Sequence, residues 1–379
     1  MTAPVPAVAE APAGHARSDA GTLASRQRRR YLDWLRGVAV VVMIEAHTLD
    51  SWTLTADRQL RWYGWAMILG GFGAPLFLFL AGVAVAMSAS AKVARGATIA
   101  AASAAVQRRG WEIFGLAFIF RLQAYVLGGF SSLRSLLKVD ILNIMGPSIV
   151  AAAALWGAAR SFVIRIAAFG AAIFLIAMIT PIVRETRILD PLPAPIEAYL
   201  RPTPGLTNFI LFPWAAFVFA GALVGLLIDR ASDAESERKL IPGIAVGGAL
   251  VAAAGYGASY LPSIYERSNF WTSSPTFFFL RTGLLTMAVA AAYAWEQTPA
   301  GRGWSPMAQL GRTSLFIYWI HIELVYGLIA EPIKRRLPFG WAIVAFLLFT
   351  VAMLGVSIVK TRVVERWRAY RKARKEGVR

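Results

Sequence analysis

The chain has 379 residues, of which 57% are hydrophobic and only 16% are charged. Soluble globular chains carry about 25% charged residues, so the composition excludes a disordered chain, a small disulfide scaffold and most soluble enzymes. Lys and Arg number 39 against 21 Asp and Glu, which gives a formal net charge of +18. The absence of cysteine from the sequence excludes disulfides and thiolate chemistry. A multi-pass membrane protein is the class that this composition favours.

The basic excess is typical of proteins that bind nucleic acid or of proteins that sit in membranes. Long apolar stretches such as 166–183 and 341–359 favour the membrane. Basic residues beside membrane spans are the usual positive-inside signature. We therefore predict membrane lipids, and no nucleic acid, as partners.

The N-terminal segment is rich in Ala and Pro and has four arginines within positions 26–30. A cleavable secretion signal has its basic residues before a short apolar core, and this segment does not follow that order. We predict a disordered basic tail over 1–30, a transmembrane domain over 31–360 and a basic tail over 361–379. An interaction tail is the alternative for 1–30.

Apolar stretches of about 18–25 residues, the length of a transmembrane helix, recur through the rest of the chain. They predict an all-α, polytopic membrane helix bundle of about ten transmembrane helices. The candidate spans are 32–52, 64–88, 106–127, 140–158, 161–183, 207–228, 240–260, 276–295, 307–330 and 339–360.

An even number of spans places both termini on one side of the membrane. The basic clusters of the two tails, of 92–109 and of Arg160 with Arg165 fall on that side. The positive-inside rule therefore predicts cytoplasmic termini, although Arg134 with Lys138 and the basic run 334–336 argue weakly against it. In a chain of this composition we expect a bacterial inner membrane.

Two of the predicted outer loops have distinctive compositions. Residues 184–206 contain five prolines, which resist regular structure. Residues 256–275 contain five aromatic side chains, which are typical of a belt at the membrane interface. The alternative is an aromatic platform that stacks a sugar or lipid acceptor.

Two of the three histidines, His47 and His321, fall inside predicted spans. Ionisable residues cost free energy inside a membrane and usually mark function or pairing. A lone buried histidine is also often a satisfied hydrogen-bonding group. Both interpretations stay open from position alone.

Helical spacing in the first span relates Arg36 to His47. Eleven residues rotate the helix by about 1,100°, within about 20° of three full turns, and advance it by about 16 Å. Both side chains therefore share a stripe with Asp50, whereas Glu45 lies on the opposite face. Such a stripe can line a path through the membrane; in the plainer interpretation, Arg36 reaches lipid phosphates.

In the ninth span, His321 and Glu323 are two residues and about 200° apart. Their side chains do not meet on one helix. If both are functional, we expect them to contact different neighbouring helices.

At these residues the sequence resembles the integral-membrane acyltransferase superfamily. Arg36, ten residues and His47 resemble the first-helix motif of the bacterial membrane O-acyltransferases. A second branch, the heparan-alpha-glucosaminide N-acetyltransferase catalytic-domain family, is the more similar one. Four segments of this sequence resemble features of that branch. They are 74–82 (APLFLFLAG), 139–146 (VDILNIMG), 212–225 (FPWAAFVFAGALVG) and 310–321 (LGRTSLFIYWIH).

One departure from the second branch concerns the catalytic histidine. In animal members it follows the end of the first helix, whereas here no histidine lies between His47 and His321. His47, at the position that the bacterial branch uses, is therefore the candidate. Animal members also carry an extra extramembrane domain near the N-terminus that this sequence does not show, so we do not expect heparan itself to be the acceptor.

The resemblance implies transfer of an acyl group, expected to be acetyl, from cytoplasmic acetyl-CoA to a glycan or small sugar on the outer face. His47 would act as general base or as transient acyl nucleophile, and we expect Asp50 or Glu45 to orient its ring. The predicted catalytic set is His47, Arg36, Asp50, His321 and Glu323. The predicted CoA-binding set is Arg36, Arg108, Arg109, Arg29 and Arg30. No metal is expected, and a homodimer is one option for the assembly.

Two other functions compete with this one. In a transporter or permease, His47, Arg36 and Glu323 would bind a small polar substrate or relay protons. The absence of a visible internal repeat argues against it. A membrane scaffold without catalysis would have no reason to keep ionisable groups in its spans.

Overall fold

The computed structural model describes residues 29–130 and 132–376, without the side chains of 375 and 376, and these residues form helices and loops. The predicted N-terminal tail lies, up to residue 28, outside the described residues. The helices are α1 (Arg30–Trp52), α2 (Arg61–Gly70), α3 (Gly73–Val93), α4 (Ile99–Leu127), α5 (Ile141–Ala158), α6 (Phe162–Glu185), α7 (Ala194–Leu200), α8 (Leu211–Asp229), α9 (Ala234–Ala258), α10 (Pro275–Gln297), α11 (Pro299–Arg302), α12 (Pro306–Arg312), α13 (Ser314–Tyr326) and α14 (Phe339–Glu376). Short 3₁₀ turns cover Thr55–Gln59, Leu133–Leu137, Arg187–Leu189 and Leu328–Ala330.

The predicted all-α polytopic bundle is confirmed. Within the described chain, eight helical segments are long and apolar enough to cross a membrane. These are Arg61–Val93, which joins α2 and α3, and seven single helices: Ile99–Leu127, Ile141–Ala158, Phe162–Glu185, Leu211–Asp229, Ala234–Ala258, Pro275–Gln297 and Phe339–Arg374. Two further predicted spans are also helical, but they do not combine the length and the apolar composition of the other eight. With 23 residues α1 is long enough, but it carries Arg36, Glu45 and Asp50, and α13 is apolar but has only 13 residues.

Side-chain caps set where several of these helices begin. The side-chain oxygens of Thr98, Ser161 and Ser305 each accept a hydrogen bond from a backbone N–H in the first turn of the following helix. Asp140 and Asn143 form a reciprocal capping box at the start of α5. These caps satisfy backbone donors that would otherwise be left unpaired in an apolar environment.

Glycines allow two pairs of helices to approach at backbone distance. A Cβ at Gly37 would overlap the carbonyl oxygen of Met307, and a Cβ at Gly311 would overlap that of Asp33, so α1 and α12 touch through their backbones. Gly221 of α8 packs in the same way on the carbonyl of Phe79 in α3. Small residues at helix contacts are the usual means of tight packing in membranes.

The predicted ninth span, 307–330, is divided rather than continuous. Thr313 has φ −112° and ψ 15°, which separates α12 from α13. The first part is fixed to α1 through Gly37 and Gly311. The second part can therefore follow its own direction toward the far end of α1.

At that far end, hydrogen bonds join α1 to α13 and to the start of α14. Ser51 Oγ and Trp52 Nε1 donate to the carbonyl of Val325 at 2.9 and 3.3 Å. The backbone N–H of Leu54 donates to the carbonyl of Leu337 at 2.7 Å. An isolated β-bridge also joins Val139 to Thr207, in the segments that precede α5 and α8. These links hold the loops on one end of the bundle.

The opposite end contains the first and last residues that the structure describes. Arg29 pairs with Glu237 of α9 at 2.7 Å and donates to the carbonyls of Ile228 and Ala231. The last helix, α14, has 38 residues and is about 57 Å long. It exceeds the hydrocarbon core of about 30 Å, and the predicted boundary at 360/361 falls inside this continuous helix.

Candidate active site

A cavity of about 890 Å³ lies at the end of the bundle where α1 and α13 meet. The ends that surround it are the last turns of α1, α4 and α13 and the starts of α3, α5 and α8. In the predicted orientation all six ends lie on the outer side. The polar side chains on its wall are His47, Asp50, Arg121, Lys138, Asp140, Asn208, Tyr318, Glu323 and Tyr326.

His47 contacts the second membrane histidine across the interface of α1 and α13. Its Nδ1 lies 2.9 Å from Nε2 of His321. The other ring nitrogen of His321, Nδ1, lies 2.9 Å from the carbonyl oxygen of Ile317. The ring of His321 is fully buried and stands behind His47, which alone of the two lines the cavity.

This arrangement fixes the tautomer of both neutral rings. A carbonyl oxygen only accepts, so Nδ1 of His321 carries a proton and its Nε2 carries a lone pair. Nδ1 of His47 must then donate to that lone pair. The remaining nitrogen of His47, Nε2, is left with a lone pair of its own. His47 therefore keeps a lone pair on Nε2, with which no described residue forms a hydrogen bond.

Neither Asp50 nor Glu45 forms a hydrogen bond with the ring of His47, whose Nδ1 lies against His321 instead, so a role for either carboxylate in orienting the ring stays a prediction. Asp50 accepts a hydrogen bond from the Tyr326 hydroxyl at 3.0 Å and pairs with Arg58 at 3.3 Å. Glu45 is buried on the other face of α1, where a Cβ at Gly70 would lie 2.9 Å from its Oε2. The tyrosine ring stands edge-on to the ring of His47, with centroids 5.6 Å apart.

A second set of polar side chains on the cavity wall comes from α4, α5 and the segment before α8. Arg121 forms an ion pair with Asp140, and the Asn208 side-chain amide donates to the same carboxylate at 3.0 Å. The bridge between Val139 and Thr207 places these residues beside one another. Lys138, next along the wall, has its pKa lowered by burial and by the charge of Arg121.

The last predicted catalytic residues are placed as their helical spacing indicates. His321 and Glu323 diverge from α13, the first toward His47 and the second into the cavity. One carboxylate oxygen of Glu323 is buried without a hydrogen-bond partner among the described residues, and Arg121 interacts with it electrostatically. A carboxylate in this position can accept a hydrogen bond from a bound hydroxyl or amine.

The predicted CoA-binding arginines lie away from this cavity. Arg36 pairs with Asp33 at 3.0 Å in the first turns of α1. Arg29 is held by Glu237, and Arg30 donates to the carbonyls of Arg302 and Gly303. Arg108 and Arg109 are exposed on α4, the latter paired with Glu112 at 2.9 Å. A role for any of them at CoA stays a prediction.

The sequence analysis did not select Arg121, Lys138, Asp140, Asn208 or Tyr326. An arginine inside an apolar span was a signal for Arg121, and its partner Asp140 stands at a predicted helix start. Their pairing depends on contacts between α4 and α5 that one sequence does not reveal. Among the described residues, no cluster of side chains suited to a metal ion is present.

Comparison with known proteins assigns the chain to a family. The sequence profile described as heparan-alpha-glucosaminide N-acetyltransferase, catalytic, matches residues 28–255. This match covers more than half of the chain, includes His47 and Asp140, and ends before α13. No curated protein sequence gives a significant match. The resemblance inferred from the sequence is confirmed: the chain belongs to the heparan-alpha-glucosaminide N-acetyltransferase catalytic family, which implies a membrane acetyltransferase.

Proposed function

We propose that the protein transfers an acetyl group from cytoplasmic acetyl-CoA to a hydroxyl or amine of a sugar or glycan on the outer face of the membrane. The observation that carries the proposal is the free lone pair on His47 Nε2, which borders a cavity of about 890 Å³. A volume of this size lies in the range of small-molecule sites, about 300–1,000 Å³.

In this mechanism the chemistry takes place at His47 Nε2. As general base, this nitrogen takes the proton of the acceptor hydroxyl or amine as that group attacks the acetyl carbonyl. As nucleophile, the same nitrogen first attacks the acetyl carbonyl, the thioester C–S bond breaks as CoA leaves, and the acetyl group then passes from the ring to the acceptor. In both roles CoA leaves as the thiol, with the proton that the acceptor loses. Either role produces positive charge on the ring, which the hydrogen bond to His321 Nε2 stabilises.

The surrounding polar groups position the reactants. Glu323 accepts a hydrogen bond from the acceptor, and Tyr326, held by Asp50, packs on the edge of the His47 ring. Arg36 binds a CoA phosphate at the cytoplasmic end of α1, about 16 Å from His47 along the helix axis, and Arg108 and Arg109 of α4 are further candidate phosphate ligands. The stripe from Arg36 to His47 then relates the donor side of the membrane to the acceptor side.

The test uses purified protein in liposomes with labelled acetyl-CoA and a panel of amino and neutral sugars. We expect labelled sugar from the native protein and a rate about 10²–10⁴-fold lower from His47→Ala, the usual contribution of a general acid–base group. Thr48→Ala is the matched control, because the Thr48 hydroxyl bonds only within its own helix. Undiminished turnover in His47→Ala would remove that residue from the chemistry.

Two further measurements resolve the route and the role. Acetyl-CoA supplied on one face of sealed liposomes and sugar on the other tests transfer across the membrane. Isolation of an acetylated enzyme after incubation without acceptor supports the nucleophile, whereas a requirement for both substrates before CoA release supports the general base.

A further inference from the structure

A second, smaller cavity of about 250 Å³ adjoins the active-site cavity. Asn208 and Trp214 line both of them, so the two spaces are neighbours across these side chains. The smaller cavity is enclosed by the end of α6, the starts of α8 and α10 and the loop before α10. It therefore lies at the same end of the bundle as His47.

Two arginines on its wall, Arg184 and Arg281, form no ion pair with a carboxylate among the described residues, and Glu185 interacts with Arg184 only electrostatically. The Nε atoms of Arg184 and Arg281 are buried and make no hydrogen bond with any described residue. Arg184 has one long contact, 3.5 Å from its Nη2 to the carbonyl of Phe212. The guanidinium of Arg281 lies over the ring of Phe277 at 3.9 Å, and a Cβ at Gly71 would lie 3.1 Å from its Nη2.

The wall contains no Asp or Glu among the described residues, so it carries two positive charges and no negative one. Both arginines are partly exposed, and a charge that is largely removed from water is normally paired and hydrogen-bonded, because an unpaired charge in an apolar environment is costly. A planar guanidinium with free N–H groups matches a carboxylate or a phosphate in two-point geometry. The charge that this cavity needs is the charge of an anionic ligand.

Aromatic side chains form most of the remaining wall, including Trp214, Trp271 and Phe278. Their flat apolar faces suit the apolar faces of a sugar ring, and they lower the local dielectric, which strengthens the attraction between guanidinium and anion. The volume of about 250 Å³ is below the range of sites for larger ligands. It suits one charged sugar unit.

We propose that this second cavity, lined by Arg184 and Arg281, binds the anionic group of an acidic acceptor sugar, either a carboxylate or a phosphate. This inference rests on the proposed function, because it assigns the unit next to the hydroxyl or amine that reaches His47. Arg281 lies against Gly71, which is part of the active-site wall. Arg281 therefore connects the two parts of the acceptor site. Specificity for acidic sugars follows from the pair of cations.

The experiment measures binding, so that it is independent of turnover. Protein in nanodiscs of uncharged phosphatidylcholine is titrated with methyl glucuronide, with glucose 6-phosphate and with the neutral methyl glucoside. We expect the two acids to bind at least about tenfold more tightly than the neutral sugar, the effect of one charge-assisted hydrogen bond. We expect Arg281→Gln and Arg184→Gln to remove that preference and Arg281→Lys to retain part of it.

Arg187→Gln is the matched control, because Arg187 is exposed at the same end of the bundle and lies outside the cavity wall. Thermal unfolding of each ligand-free variant identifies any that fails to fold, and the partial rescue by lysine is scored only on folded protein. Equal binding of glucuronide and glucoside, or an unchanged preference in both folded glutamine variants, overturns the proposal.

Two other anions are tested as competitors. Loss of glucuronide binding in phosphatidylglycerol nanodiscs would assign the arginines to a lipid headgroup, and displacement of glucuronide by CoA would assign them to the donor; either result overturns the proposal. Binding of acids without acetyl transfer to any sugar would refute the proposed function and leave this site standing. Efficient transfer to neutral and acidic sugars alike would support the proposed function and refute the anion site.

Discussion

Replacing His321 by asparagine or by glutamine separates the two hydrogen bonds of its ring. Asparagine reaches as far as histidine Nδ1, so its amide can still donate to the Ile317 carbonyl but cannot reach His47. Glutamine reaches as far as histidine Nε2 and can present its carbonyl oxygen to His47 Nδ1. The pair therefore tests whether the acceptor beside His47 matters, with side chains of the same chemistry.

The size of the effect follows from the charge that His47 gains during the reaction. A hydrogen bond between neutral groups contributes about 0.5–1.5 kcal/mol, and one to a charged group about 1.5–3 kcal/mol. The difference of about 0.5–2 kcal/mol acts only when the ring becomes cationic, and at 1.36 kcal/mol per factor of ten it corresponds to about a 2- to 30-fold loss of kcat. The asparagine variant also loses the lock on the tautomer that exposes Nε2.

The assay is steady-state acetyl transfer with each variant in liposomes. We expect kcat to fall in His321→Asn and to recover in His321→Gln, with the KM for acetyl-CoA unchanged in both, because His321 does not line the cavity. An asparagine variant with native kcat, or a glutamine variant as slow as the asparagine one, would refute the tautomer argument. A loss in His321→Asn as large as that in His47→Ala would make His321 itself the reacting group.

Three other predictions concern the surroundings of the site. Asp140→Asn leaves Arg121 without its carboxylate, so we expect the free energy of unfolding to fall by about 3–5 kcal/mol. The double variant Asp140→Asn with Arg121→Met should lose less than Asp140→Asn alone. Thermal or denaturant titration measures both losses. Gly311→Ala places a Cβ on the Asp33 carbonyl and should destabilise the protein by about 1–3 kcal/mol. Gly170→Ala, whose Cβ meets no neighbour within 4 Å, should stabilise the protein by about 0.5–1 kcal/mol. Equal melting temperatures of the two variants would contradict this prediction. Arg36→Gln should raise the KM for acetyl-CoA, and Arg29→Gln, which also breaks the pair with Glu237, should in addition lower the melting temperature.

The periodicity of single helices was predictable, and contacts between helices were not. The stripe of Arg36, His47 and Asp50 follows from 3.6 residues per turn; His47 and Asp50 line the cavity, whereas Arg36 does not. The divergence of His321 and Glu323 follows from the same arithmetic. The pairing of His47 with His321 joins residues that are 274 positions apart, and no local pattern encodes that separation.

The break between α12 and α13 is a second feature that hydropathy conceals. The stretch 307–330 is apolar enough to suggest one span, yet the backbone departs from helical geometry at Thr313. The physical cause lies in Gly311, whose missing side chain lets α12 rest on the backbone of α1. A glycine inside an apolar span carried that signal, but it did not identify the partner.

Acyl transfer at this site would develop two charges of opposite sign, and each needs its own partner. When a nucleophile attacks the acetyl carbonyl, negative charge develops on the carbonyl oxygen while positive charge develops on His47. The first turns of α3 and α8 have no side-chain cap, and Ala74, in the first turn of α3, lines the cavity wall. Free backbone N–H groups and the positive ends of helix dipoles favour an oxyanion, the more so where water is excluded. In the proposed mechanism the cation on His47 would be stabilised from the other side, by the neutral acceptor nitrogen of His321, so different helices would stabilise the two developing charges.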